Sequence, residues 1–203
     1  MLSYIFVILS NIILLSSNYF YTSNNYKCEI LKKFEKNKQE IDKIKYFSTN
    51  GTITHVGKYK NISVKFKFSI LNKKNSYEAE LYSFFKNILS ISSKPNYVKV
   101  FFNKSNCYID RSLSNILKKN FDVNLPIDDI LYWSIGLPGK SNLFNLYKDG
   151  YLKCLSYIYK KSQLITIKYS KYYKSPINLP YIIDILYDGN YFIVKFNCWK
   201  IKI

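Results

Sequence analysis

Arginine, alanine, histidine and methionine are nearly missing from this chain of 203 residues, which has one of each: Arg111, Ala79, His55 and Met1. The shortage of arginine bears on the charge. Lys and Arg together number 31 against 13 Asp and Glu, a formal net charge of +18. Taken alone, that points to a polyanionic partner, either nucleic acid or an anionic membrane surface. Arginine, however, is the side chain that forks bidentately onto guanine and phosphate, and a basic chain built on lysine lacks it. The surplus lysines read instead as solvated surface, in the Lys-, Asn-, Ile-, Tyr- and Phe-rich composition that an AT-rich coding sequence gives. No nucleic-acid partner is expected.

Chemistry-bearing motifs are also missing. With a single histidine, and with Cys28, Cys107, Cys154 and Cys198 forming no C-x-x-C pair, the sequence offers no metal site. Pairing of distant cysteines in an oxidising compartment stays open. There is no G-x-S-x-G, no Gly-rich phosphate loop and no H-E-x-x-H. Asp128 and Asp129 fall at a helix start, where acids favour the dipole. Asp184 and Asp188 share a solvated strand face, and His55 lies within a strand. We assign no catalytic residue, metal or cofactor, and expect no enzyme.

What is present is apolar and aromatic. The chain is 48% hydrophobic and 18% aromatic, which excludes a disordered chain and suits one domain with a sizeable core. Met1 to Tyr26 carries no charge, and Leu2 to Ser17 reads LSYIFVILSNIILLSS. Residues 1–22 therefore read as a signal peptide or N-terminal membrane anchor, and residues 23–203 as a single domain. Cys28 follows Asn25-Tyr26-Lys27 rather than a run of small residues, so no lipid-attachment signal is recognised there. A retained N-terminal helix is the alternative tether.

Two periodicities organise the body. Ile30, Leu31, Phe34, Ile41 and Ile44 recur at helical spacing over residues 28–45. This is either a membrane-surface helix or, preferably, a helix packed across one end of the domain. After Asn50 the period becomes two. Ile62, Val64, Phe66 and Phe68 alternate with polar residues, as do Tyr77, Ala79 and Leu81. Tyr181 to Tyr187 and Phe192 to Cys198 follow the same rhythm. Short turns at 72–75, 104–106, 149–150 and 188–190 predict hairpins, hence an antiparallel meander of about ten strands that curls into a half-barrel. Apolar-faced helices near 112–121 and 126–134 interrupt it and are placed to cover its open side. The inner face is then either a lipid cavity or a close-packed β core; the residues alone leave both open.

One segment narrows the choice. Tyr132-Trp133-Ser134-Ile135-Gly136-Leu137-Pro138-Gly139 resembles the W-x-x-G-L-P stretch of the LolB family. In the family's order, Asn50 to Ile53 resembles its first strand, with Asn in place of Arg, and Tyr77 to Leu81 the strand before its protruding loop. Leu125-Pro126 resembles the stretch before the Trp helix. Leu179-Pro180, Asp188-Gly189 and Asn197 to Trp199 resemble the closing hairpin. The resemblance spans residues 28–201. It implies a mainly β fold with a helical lid (α+β), an open antiparallel half-barrel of the LolA/LolB type. It further implies a protein of lipoprotein localisation on the periplasmic face of the outer membrane, a monomer without nucleotide or metal. Such a protein takes lipoproteins by their acyl chains from a LolA-type carrier and inserts them into the inner leaflet of the outer membrane. A soluble LolA-type carrier or another apolar-ligand-binding barrel is the alternative; the hydrophobic N-terminus argues against it. The resemblance implies that Phe84 and Phe85 occupy the protruding, membrane-inserting loop, with Phe85 on the family's exposed leucine. The expected acyl-chain cavity consists of Phe66, Phe68, Leu81, Ile183, Phe192, Val194 and Phe196, with Leu113, Leu117 and Trp133 from the lid.

Overall fold

The computed structural model describes residues 27–71, 76–83, 86–103, 105–121, 126–159, 163–174 and 177–203. The segment expected as signal or anchor and the pair Phe84-Phe85 lie outside them. Helix α1 covers residues 27–42. Strands β1 (Tyr46–Val56), β2 (Asn61–Leu71), β3 (Ser76–Ser83), β4 (Lys86–Lys94), β5 (Tyr97–Phe102) and β6 (Asn106–Asp110) follow. Helices α2 (Leu113–Phe121) and α3 (Ile127–Ser134) come next. The chain closes with β7 (Leu143–Leu146), β8 (Leu152–Tyr159), β9 (Gln163–Tyr172), β10 (Pro180–Tyr187) and β11 (Asn190–Lys202).

The strands form one antiparallel sheet of eleven in the order β6-β5-β4-β3-β2-β1-β11-β10-β9-β8-β7. Both halves are meanders built from hairpins, and they are joined where the first strand pairs with the last. The sheet stays open, with β6 and β7 as its edges. These two strands are short, which limits the unpaired backbone they present. They are also consecutive in the chain, so the connection holding α2 and α3 runs from one free edge to the other and covers the concave face.

Register explains the core. Gly51, Phe66, Leu81 and Leu89 oppose one another across β1 to β4, and Gly51 faces Phe196 on β11. Ile53 pairs with Val64 and Val194, and Val194 with Ile183. Because side chains alternate, each such rung is apolar inside, while Lys65, Lys67, Glu78 and Glu80 fall outside. At Gly51 a Cβ would lie 2.0 Å from the Lys195 carbonyl oxygen and 2.8 Å from the Phe66 ring. The seam between the two halves therefore closes only over a residue without a side chain.

A bulge beside Asn50 and Gly51 shifts the parity of β11. The uninterrupted alternation expected through Cys198 is corrected here: Trp199 and Ile201 continue the inner face, and Cys198 turns outward against Asn50, whose Nδ2 is 3.5 Å from its sulfur. All four cysteines are free thiols.

Helix α1 packs across one end, which we call proximal. Ile41 and Ile44 join Phe47, Ile135, Leu137 and Leu179 in a buried cluster, and the Phe34 ring lies 5.5 Å from that of Phe144. Leu31 is exposed. The helix sits directly on the β7–β8 turn, where Gly150 has φ +82° and a Cβ would come within 2.6 Å of the Phe34 nitrogen. The β1–β2 and β10–β11 turns, the end of β3 with the start of β4, and the end of β8 with the start of β9 all lie at the opposite, distal end.

Candidate functional site: an apolar hollow beneath a helical lid

The inner face of the sheet and the lid do not close-pack. Between them lies a partly open cavity of about 680 Å³, within the roughly 300–1,000 Å³ common for small-molecule sites. Its wall is aliphatic and aromatic. Phe66, Phe68 and Leu81 come from β2 and β3, Ile183 from β10, and Phe192, Val194 and Phe196 from β11. Leu113 of α2 and Trp133 of α3 face them from the lid. Leu117 is the one expected residue that does not line the hollow. It lies a helical turn beyond Leu113 and packs against the cluster of Tyr77, Val98, Val100, Leu113 and Ile116.

Several lining residues had not been singled out. Ile165 and Ile167 form the β9 wall, Ile53 and Ile185 extend those of β1 and β10, and Ile130 adds to α3. The signal for β9 lay in plain alternation, since Ile165, Ile167 and Tyr169 are buried while Lys168 and Ser170 are exposed.

The rings in and around the hollow meet edge to face or tilted, as Phe68 and Tyr77 do at 50°. Phe66 and Phe196 sit 5.7 Å apart at 87°, and Trp133 and Tyr157 5.5 Å apart at 65°. Polar members are few. His55 and Asn190 are 3.2 Å apart at the distal end, and the Ser134 hydroxyl is occupied in donating to the Leu131 carbonyl at 2.7 Å.

The lid is pinned by polar contacts that keep its apolar face turned inward. The Trp133 Nε1–H donates to the Pro138 carbonyl at 3.2 Å. Asp129, only 3% exposed, accepts from the Lys140 N–H at 2.9 Å. It thus closes the loop after α3 rather than serving only the helix dipole. Gly139 has φ +58°, and a Cβ there would strike the Asp129 carboxylate at 2.7 Å. From the sheet, the Tyr169 hydroxyl donates to the Trp133 carbonyl at 3.0 Å, and burial pushes its pKa well above the usual tyrosine range, so it stays a donor. The other helix is fixed at its start. The Asp110 carboxylate accepts from Asn115 Nδ2 at 2.9 Å, Lys119 Nζ at 2.9 Å and the Arg111 N–H at 2.6 Å, and the Asn115 side chain and then Lys119 hold its pKa well below the usual carboxylate range.

Among the described residues no group of three or more His, Cys, Asp and Glu side chains could hold a metal ion, and no helix is long and apolar enough to cross a membrane. The chemistry available in the hollow is that of apolar burial.

Comparison with known proteins agrees with this geometry. A family model described as "Outer membrane lipoprotein LolB" matches residues 45–199, which include every strand but the last residues of β11. The outer-membrane lipoprotein LolB of Baumannia cicadellinicola is 26% identical over 181 residues, 88% of this chain and 81% of that one. The LolB of Serratia proteamaculans is 21% identical over 171 residues, 81% of this chain and 79% of its own. Among solved structures, a DUF1329 family protein from Desulfovibrio piger superposes with a TM-score of 0.53 at 10% identity, covering 87% of this chain and 93% of that one. A LolA superfamily protein from Nitrosomonas europaea gives a TM-score of 0.47 at 15% identity over 86% and 92%. With its open eleven-stranded sheet and W-x-x-G-L-P lid segment matched across most of its length, the chain belongs to the LolB family of outer membrane lipoproteins.

Proposed function

We propose that this protein receives lipoproteins by their acyl chains and delivers them to the outer membrane. The observation that carries the reading is the 680 Å³ apolar hollow. A soluble domain has no packing reason to keep such a void, because empty apolar space forfeits dispersion contacts. A hydrocarbon chain restores them. Each methylene moved from water into such a site is worth about 0.8 kcal/mol, so a long chain binds firmly without any polar anchor.

The same arithmetic accounts for transfer without a nucleotide, metal or catalytic residue. Movement from the cavity of a LolA-type carrier to this one, and then into a bilayer, exchanges one apolar environment for another. Small differences in affinity set the direction. One chain supplies every residue that lines the hollow, in keeping with a monomer acting at the periplasmic face of the outer membrane. Phe84 and Phe85 are proposed as the tip that enters the inner leaflet on delivery.

A fluorescent fatty acid should bind the purified protein with one site per chain and be displaced by a diacylglyceryl peptide. Absence of uptake, or uptake that the diacylglyceryl peptide does not displace, would overturn the reading.

A further inference from the structure

The distal end of the sheet has an unusual surface. The β1–β2 turn places Tyr59 at 92% exposure between the exposed Lys58 and Lys60, with Lys58 Nζ 5.4 Å from the Tyr59 ring centroid. Across the sheet, on the outer face, Ile158 pairs with Leu164, and Leu186 pairs with both Thr166 and Tyr191. Ile158, Leu164 and Leu186 are 61%, 53% and 47% exposed. Leu164 lies two residues from Thr166, the partner of Leu186, so the aliphatic groups are diagonal neighbours within reach of one another. None belongs to the hollow, since their parity points them to the other side of the sheet.

What lies behind this strip decides its partner. One rung further from the distal end is the exposed Lys168, opposite Asp184, and the next carries Lys195, with Lys65 on the same rung across β1. At roughly 3.3 Å per residue along a strand, this lysine belt trails the apolar strip by about 7–14 Å. Exposed apolar groups close to the tip, just behind the Asp188-Gly189 turn, tyrosine and lysine beside them, and further lysines on the rungs of Ile193 and Ile182 suit a bilayer interface, where apolar faces sink about 5–10 Å and lysines meet the head groups. A protein partner would give no reason for layering along the sheet axis. Asp184 and Asp188 are the acidic residues of these strands on the outer face, and Lys58, Lys60, Lys65, Lys168 and Lys195 outnumber them.

We propose that the distal end of the sheet is a docking surface for an anionic lipid bilayer, engaged by the Lys58-Tyr59-Lys60 turn and by the convex strip Ile158, Leu164 and Leu186. This rests on the delivery reading above and extends it. Contact then extends along the distal end from the β1–β2 turn to β8, β9 and β10, so the hollow is presented to the membrane at a fixed orientation.

The test uses the full chain with one tryptophan added at a time: Tyr59→Trp, Leu164→Trp, Leu186→Trp and, at the proximal end, Tyr97→Trp. Vesicles of phosphatidylethanolamine and phosphatidylglycerol carry brominated acyl chains, and the emission of Trp133 and Trp199 is subtracted using the unmodified protein. Added emission should be quenched in the three distal variants and unaffected in Tyr97→Trp. Lys58→Ser with Lys60→Ser should weaken the quenching of Leu164→Trp about thirtyfold in vesicle concentration at low salt, roughly fivefold per lysine. Unquenched distal tryptophans, or equal quenching at Tyr97→Trp, would overturn the proposal. Fatty-acid uptake measured on the same samples keeps the two readings apart: uptake without distal quenching leaves delivery standing and removes this surface, whereas quenching without uptake removes delivery and retains the surface.

Discussion

Filling the hollow separates a binding cavity from a packing flaw. Ala79 is suited to this. It lies on the inner face of β3 between Phe68 and Ile91, and lines the cavity. Ala79→Trp projects an indole into the 680 Å³ space and displaces about five methylenes of a bound chain. At about 0.8 kcal/mol each, that removes about 4 kcal/mol of binding, close to a thousandfold in affinity. Stability should respond in the opposite sense, because the indole gains contacts where none existed. The urea midpoint should hold or rise, whereas overpacking a filled core costs about 1–3 kcal/mol. Fatty-acid titration and urea unfolding of the same preparation measure both. A variant that binds fatty acid as tightly as the parent would refute occupancy of the hollow, and one destabilised by several kcal/mol would refute the void itself.

Other expectations follow from single contacts. Gly51→Ala must part β1 from β11 or displace the Phe66 ring, and should cost at least about 1–3 kcal/mol in urea unfolding; an unchanged midpoint would mean the seam is more compliant than its geometry. Asp110 has a depressed pKa in the folded protein, so its contribution is complete above the ordinary carboxylate pKa of about 3.9 and is lost as pH falls through the lower folded value. Thermal midpoints of wild type and Asp110→Asn should therefore differ at neutral pH and converge in strong acid; a constant gap would exclude the linkage. Phe85→Glu should leave fatty-acid uptake intact and slow lipoprotein transfer into liposomes by about ten- to hundredfold, given about 1.5–3 kcal/mol for one buried aromatic. Unfolding of that variant would make Phe85 core, and normal transfer would remove the loop from the mechanism.

Much of the architecture is written in alternation, and its gaps have physical causes. Phe66, Phe68 and Leu81 are legible because polar partners flank them on a sheet wet on its outer side. β4 is harder to read, since its inner face ends in Ser93, which opposes Tyr77, and its outer face is also serine, so the period carries little contrast. The end of β11 misleads because a bulge inverts parity without any mark in composition. Leu117 shows the limit for helices: spacing puts it with Leu113 on the apolar side of α2, and both join the cluster around Val98 and Val100, but Leu113 also reaches the hollow and Leu117 does not. Whether the interior was hollow or filled was not legible at all, because that depends on the curvature of the sheet rather than on the identity of its residues.

The two free edges of the sheet are joined to each other by the lid, as a bowstring joins the tips of a bow. Edge β6 ends at Asp110 and edge β7 begins at Leu143, and the ties at Asp110 and at Ser141, whose hydroxyl donates to the Ser156 carbonyl at 2.8 Å, fix the string to each tip. On the proposed function, sheet curvature and lid height would then be one variable: cargo that springs the edges apart draws α2 and α3 taut across the sheet, and its departure slackens them and lets the edges relax inward. Spin labels on Cys107 and on Asn145→Cys, in a chain with Cys28, Cys154 and Cys198 changed to Ser and measured with and without fatty acid, read that variable as a single distance; a distance indifferent to cargo would mean the bow is rigid.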